Sequence, residues 1–202
     1  MKQEHKDRRR LRSFGIRPVK EMIFDYVKLP MGWVKAGFAN GALVSLGFCK
    51  EPGKAYSGDA FKALSDTRRW LEIYAEGRDP GFLPRIDLSG VSPYTRDVCA
   101  AMLKIPYGQT ATYGEIACAV AARRGARASA RAAGGAAGRN PVAIIIPCHR
   151  VLGVGQSLHG YGGGLEHKAA LLIHEGVIPQ PEWERELDEY RGGDKKGEKG
   201  EH

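Results

Sequence analysis

Between Asp79 and Gly90 the chain carries Pro80, Gly81, Pro84 and Gly90. Proline lacks the N–H that a ladder needs and glycine is costly to order, so the stretch reads as a linker. It divides the chain into unlike halves. Before it, Met22–Leu29, Gly32–Phe38 and Ala42–Phe48 are rich in Val, Phe, Tyr and Ile, and Asn40-Gly41 is a strong hairpin turn. Helical patterns follow near Asp59–Leu64 and Thr67–Ala75, with Gly77 placed to cap the second. This half reads as a small α+β scaffold without an evident constellation of catalytic groups.

The second half opens on Ser92-Pro93, an N-cap followed by proline at the first helical position, and predicts a helix to about Lys104. Ile105-Pro106-Tyr107-Gly108 breaks it. Thr112-Tyr113-Gly114-Glu115 has capping-box spacing and starts a helix to about Ala122. Ser129 begins a third through Ala137, despite Gly134 and Gly135. Two short helices across a tight turn, with arginines around the second, suggest a helix-turn-helix. The third helix has small side chains apart from Arg131. A major-groove reader carries polar side chains for base edges, and here there are almost none. The pattern suits close, sequence-tolerant contact with Arg131 as a wedge. It suits tight packing against another helix equally well.

Charge points toward phosphates. The net charge is +8, and from 116 to 165 there is no acidic residue, yet Arg123, Arg124, Arg127, Arg131, Arg139 and Arg150 lie there. An incidental basic surface is the alternative. Residues 1–20 carry eight Lys/Arg against two acids, and 177–202 carry eight acids against five bases. Both ends are expected to be solvated and mobile. No apolar run approaches the ~18 residues of a membrane span, and no signal-peptide core follows the amino terminus. Cys49, Cys99, Cys118 and Cys148 are widely spaced without a CxxC pair, which argues for a reducing compartment and against a zinc ribbon or disulfide framework. The expectation is a cytosolic protein with no structural metal.

The segment Ile144-Ile145-Ile146-Pro147-Cys148-His149-Arg150-Val151 carries the chemistry. A thiolate is a strong nucleophile, but a free thiol is mostly protonated at neutral pH, so an imidazole that takes its proton and nearby positive charge are what it needs. The isoleucine run reads as a buried strand that holds Cys148 at the floor of a pocket. A small buried cysteine beside a polar neighbour is the structural alternative.

From Ser92 to Gly176 the chain resembles the O6-alkylguanine-DNA alkyltransferase family, the methylated-DNA–protein-cysteine methyltransferases. The likeness rests on Ile105-Pro106-Tyr107-Gly108-Gln109-Thr110, Thr112-Tyr113-Gly114-Glu115-Ile116-Ala117 and Arg131-Ala132-Ala133-Gly134-Gly135-Ala136. It continues through Asn140-Pro141-Val142, Ile146-Pro147-Cys148-His149-Arg150-Val151, Gly160-Tyr161-Gly162-Gly163-Gly164-Leu165, Lys168 and His174-Glu175-Gly176. The resemblance implies an α+β chain: a basic tail (1–20), a small RNase-H-like α/β domain (21–88), a mainly helical, winged-helix-like domain with a helix-turn-helix (91–178), and a flexible tail (179–202).

It also implies roles. Cys148 is the alkyl acceptor, His149 the base acting through a water, and Glu175 the carboxylate that orients His149. Tyr113 helps turn out the nucleotide and gives a proton or hydrogen bond to the departing guanine. Arg131 fills the gap in the duplex, and Asn140 ties the DNA-binding helix to the active-site loop. Val151, Tyr161 and Gly162 line the pocket, with Lys168 close by; Thr95, Ser129 and Arg150 are further expected contacts to substrate or DNA. Gly162 stands where some relatives carry serine. The implied activity is stoichiometric transfer from O6-alkylguanine, and less well from O4-alkylthymine, in a flipped-out nucleotide. The implied protein is a monomer that needs no cofactor. It binds the minor groove of double-stranded DNA and no membrane, in the nucleoid of a prokaryote or the nucleus of a eukaryote. Two other readings are a non-repairing sensor of alkylated DNA, against which Cys148 weighs, and a Cys-His hydrolase, for which no oxyanion-hole motif is evident.

Overall fold

A computed structural model describes residues 22–56 and 61–197. The basic tail 1–20 and the start of the helical pattern at Asp59 lie outside the described residues. β1 (Ile23–Leu29), β2 (Gly32–Ala39) and β3 (Ala42–Cys49) form an antiparallel sheet in that order. Asn40 and Gly41 take φ of 51° and 67°, the left-handed pair that matches the twist of a two-residue hairpin. Val34, Ala36 and Phe38 alternate inward along β2 and are buried.

α1 (Lys62–Ala75) packs on β1 and β3 and buries Leu64, Trp70, Leu71 and Tyr74. It is one helix where the sequence suggested two. Its polar residues bond back onto their own helix instead of ending it: Ser65 Oγ donates to Lys62 O at 3.0 Å and Thr67 Oγ1 to Ala63 O at 2.7 Å. Gly77, at φ 74°, closes it as expected. Its N–H donates to Tyr74 O, and the Arg78 N–H donates to Ile73 O.

The 79–90 stretch is not a free tether. Leu43 donates its N–H to Arg85 O and accepts from Asp87 N–H; Leu46 does the same with Pro141 O and Ala143 N–H, at 2.8 to 2.9 Å. These one-residue bridges cover the outer edge of β3 and tie the first half to the segment leading to Cys148. The core is continuous across the join: Leu43 and Leu46 share a cluster with Val98, Met102, Val142 and Ile146.

α2 (Pro93–Met102) starts at Ser92, whose side chain accepts from the Thr95 N–H. β4 (Ala111–Thr112) leads into α3 (Tyr113–Arg124), which has a complete Thr112/Glu115 capping box and a left-handed Gly125 at its end. α4 (Ala130–Ala137) is capped by Ser129. The turn Cys148–Arg150 leads to β5 (Val151–Leu152), paired parallel with β4; α5 (Leu165–His174) follows. Where a flexible tail was expected, Glu182–Gly197 is a helix, α6, with Trp183 only 2% exposed. Trp183, Leu187 and Tyr190 lie at i, i+4 and i+7, an apolar stripe masked by the acidic composition.

Candidate active site

Ile144, Ile145 and Ile146 are buried as expected, but they do not form a strand. Ile144 has φ of +73°, which a β-branched residue adopts at a cost of about 1–3 kcal/mol. Ile146 N–H closes onto Val142 O at 3.0 Å and Cys148 N–H onto Ile146 O at 2.8 Å. Coiled turns therefore deliver Cys148, and burial of the three side chains offsets the strain. A short apolar run does not reveal whether it is buried as strand or as turn.

Asn140, just past the end of α4, donates Nδ2 to Cys148 Sγ at 3.1 Å and to Ile146 O at 2.8 Å, while its Oδ1 accepts from Val142 N–H at 3.1 Å. One amide thus links the helix, the turn and the sulfur. Burial pushes the Cys148 thiol up, and the Asn140 amide, the Lys168 ammonium and backbone N–H groups offset part of that. The resting group is a thiol that needs a base.

His149 is fully buried and its Nε2 lies 2.7 Å from Glu175 Oε1. Glu175, at the C-terminal end of α5, also accepts from Arg150 Nε at 2.7 Å and Nη2 at 3.0 Å, Tyr74 Oη at 2.9 Å and Gly108 N–H at 3.2 Å. Burial would raise this carboxyl, but the hydrogen bonds from His149 and Arg150 and the charge of Arg150, joined by that of His149 once acid protonates it, outweigh burial and hold it at about 2. Glu175 is therefore an acceptor only, and His149 must present Nε2–H to it. That leaves Nδ1 with the lone pair, and Nδ1 is buried without a hydrogen-bond partner among the described residues. Burial pushes the imidazole pKa down, so His149 is neutral at pH 7 and able to take a proton.

Three members of the expected set act differently. Arg150 is 8% exposed and clamps Glu175, with Nη1 on Ile105 O at 2.7 Å, so it faces no DNA. Thr95 is buried, its hydroxyl bonded to Ser92 Oγ at 2.9 Å. Val151 is fully buried in the core rather than in the cleft, and its carbonyl accepts from Lys168 Nζ at 2.7 Å. Lys168 is itself buried; it also bonds His159 O at 2.8 Å and Leu158 O, and burial pulls its pKa down to about 8. Tyr74 is the functional residue that sequence reasoning missed. It comes from the half read as scaffold, and no local pattern marks it.

A cleft of about 890 Å³ opens between the sheet and the second half and reaches Cys148. Asn140, Tyr161, Gly162 and Gly163 line it, with Tyr26 and Phe48 on the far wall. A Cβ on Gly162 would lie 3.6 Å from Gly138 O, an ordinary contact, so serine would fit there. Tyr113 donates to His159 O at 3.2 Å and Gly160 O at 3.3 Å. Burial and the nearby Cys148 push its phenol up to about 12, so it keeps its proton.

α3 and α4 pack together across a short turn, and the small residues of α4 serve that packing on one side and leave a smooth face exposed on the other. Ala133, Ala136 and Ala137 are buried against neighbouring elements, while Arg131, Ala132, Gly135 and Arg139 are exposed. The arginine count overstates the free charge. Asp97 pairs with Arg123 and Arg124, and Glu175 takes Arg150, which leaves Arg127, Arg131 and Arg139 without a carboxylate among the described residues.

Comparison with known proteins agrees with this geometry. Residues 93–177 match the family described as 6-O-methylguanine DNA methyltransferase, DNA binding domain. The methylated-DNA–protein-cysteine methyltransferase of Mycobacterium tuberculosis is 43% identical over 122 residues, 60% of this chain and 71% of that protein. That of Methanosarcina barkeri is 36% identical over 155 residues, 75% and 95% of the two chains. Mycobacterium tuberculosis O6-methylguanine methyltransferase superposes with a TM-score of 0.64 at 35% identity, covering 79% of this chain and 96% of that one. The same organism's OGT in complex with DNA gives 0.62 at 37%, covering 75% and 91%.

Proposed function

The chain belongs to the methylated-DNA–protein-cysteine methyltransferase family, and from that premise we infer that Cys148 takes the alkyl group of O6-alkylguanine in duplex DNA. The reaction class is direct-reversal repair. The observation that carries the assignment is one turn that holds the Cys148 thiol on Asn140 and the buried His149 with its Nε2 on Glu175, leaving the imidazole Nδ1 unpartnered among the described residues.

His149 Nδ1 removes the thiol proton through one bridging water, and the Asn140 amide and Lys168 ammonium stabilise the anion. The sulfur attacks the alkyl carbon in line; the new S–C bond forms as the C–O6 bond breaks. Tyr113 gives up its bond to the 159–160 carbonyls, donates its proton to the departing guanine, and is reprotonated from the imidazolium through solvent. The product thioether has no easy hydrolytic route, so each molecule acts once. The same cleft accepts O4-alkylthymine less well.

The target atom lies inside a base stack, so the nucleotide must be turned out, at a cost of a few kcal/mol. The exposed face of α4 suits close approach in the minor groove, with Arg131 filling the gap and Arg127 and Arg139 meeting phosphates. The protein acts as a monomer. A sensor without repair has no use for an activated Cys148. The test is loss of O6-methylguanine from a methylated duplex: wild type is expected to consume one lesion per protein and Cys148→Ala none. Equal behaviour of the two would refute the assignment.

A further inference from the structure

We propose that the carboxy-terminal helix α6 is a working part of the active site, a brace that fixes the loop 153–160 through Trp183 and Glu186 and thereby sets the rate of alkyl transfer. This rests on Cys148 being the acceptor. α6 begins past residue 177, where the match to the family ends, so nothing in that match assigns it a role.

Within the loop the Gly153 N–H donates to Ser157 O at 2.8 Å, and the remaining holds come from outside it. Gln156 and His159 have φ of 63° and 23°, conformations that side-chain-bearing residues populate only when neighbours impose them. Two of the imposing bonds come from α6. Trp183 Nε1 donates to Gln156 O at 2.8 Å, and Glu186 Oε2 accepts from Leu158 N–H at 2.6 Å. Trp183 also covers Leu158, which is fully buried in a small cluster with Leu152, Ala169 and Leu172. A further anchor holds the helix at its far side, where Arg191 bonds Glu166 of α5 at 2.7 Å.

What the loop carries explains why its position matters. The carbonyls of residues 158–160 are the acceptors for Lys168 and Tyr113, the cation beside the thiol and the phenol facing the leaving group. The next residues, Tyr161, Gly162 and Gly163, wall the cleft that reaches Cys148. The Glu186 carboxylate also favours the charged form of Lys168 against the burial that disfavours it. Releasing α6 therefore loosens the proton donor, the thiolate's cation and the cleft wall together.

The test uses the full chain with Trp183→Ala combined with Glu186→Ala, and separately Glu186→Gln, whose amide oxygen still accepts from Leu158. Amide hydrogen exchange is read without substrate. Single-turnover transfer is read at saturating methylated duplex, alongside affinity for unmodified duplex. In the double variant, exchange at 157–160 is expected to rise about tenfold or more. Transfer is expected to slow about tenfold or more, with unmodified-duplex affinity unchanged. Glu186→Gln should retain most of the loop protection. Unchanged exchange at 157–160, or faster exchange with unchanged transfer, would overturn the proposal. Faster exchange spread through α1–α5, with affinity lost in parallel, would overturn it too, since α6 would then serve stability alone. If wild type transferred nothing, the reading of Cys148 would fail, and the exchange data would still decide whether α6 holds the loop.

Discussion

Glu175→Gln keeps the shape of the side chain and removes its charge, and the surroundings leave it no neutral arrangement. Both carboxylate oxygens accept: Oε1 from His149, Tyr74 and Arg150 Nη2, and Oε2 from Arg150 Nε and Gly108 N–H. An NH2 at the Oε2 position faces two donors. At the Oε1 position it forces His149 to accept at Nε2 and carry its proton on Nδ1, which is then no longer a base. The buried Arg150 loses its counter-charge in either case, at about 3–5 kcal/mol, which lowers the melting temperature by roughly 10–15 °C for a chain of this size. The analogous carboxylate-to-amide change in hydrolase triads costs about 10⁴ in rate through the same tautomer change. Transfer is therefore expected to slow by about 10³–10⁴, equivalent to about 4–5.5 kcal/mol of barrier. Single-turnover quench experiments with a methylated duplex, run well below the variant's melting point, measure it. A folded variant that transfers within about threefold of wild type (under ~1 kcal/mol) would refute the role given to Glu175.

Tyr74→Phe keeps the stacking on Trp70 but removes one hydrogen bond to a buried carboxylate, so urea titration should show a loss of about 1.5–3 kcal/mol with transfer slowed less than in Glu175→Gln. The folded pKa of Glu175, about 2, lies below its ordinary 4.5, so its contribution of about 3 kcal/mol is complete above pH 4.5 and is lost as pH falls toward 2. Stability measured across that range should fall in wild type and lose this component in Glu175→Gln; parallel curves would contradict it. Arg131→Ala should slow nucleotide extrusion, read with a fluorescent base beside the lesion, more than it weakens affinity; equal losses would make Arg131 an ordinary phosphate contact. Binding to unmodified duplex should weaken steeply with salt and show little sequence preference, and a strong consensus site would count against the smooth exposed face of α4.

Much of this molecule was legible because its signals are local. Asn40-Gly41, the Thr112/Glu115 box, the Ser92 and Ser129 caps and Gly77 each act within a turn of chain, and each sits where the sequence placed it. Features set by distant partners were not legible. Tyr74 meets Glu175 across a separation of 101 residues, and nothing in the pattern of α1 announces it. Arg150 counted as surface charge until Glu175 stood beside it. The 79–90 stretch looked like a tether because single bridges to Leu43 leave no alternation to read. The composition of the isoleucine run announces burial but not the turns that achieve it, and the apolar stripe of α6 is hidden among acidic residues.

The most direct test follows a labelled methyl group. A duplex bearing a deuterated methyl on O6 of guanine is mixed with excess wild-type protein, and the protein is then digested and weighed. The label should appear on the peptide containing Cys148, one per lesion consumed, and on no peptide containing Cys49, Cys99 or Cys118. Label on another cysteine, or lesion loss with no label on the protein, would contradict the central claim that this sulfur is the acceptor.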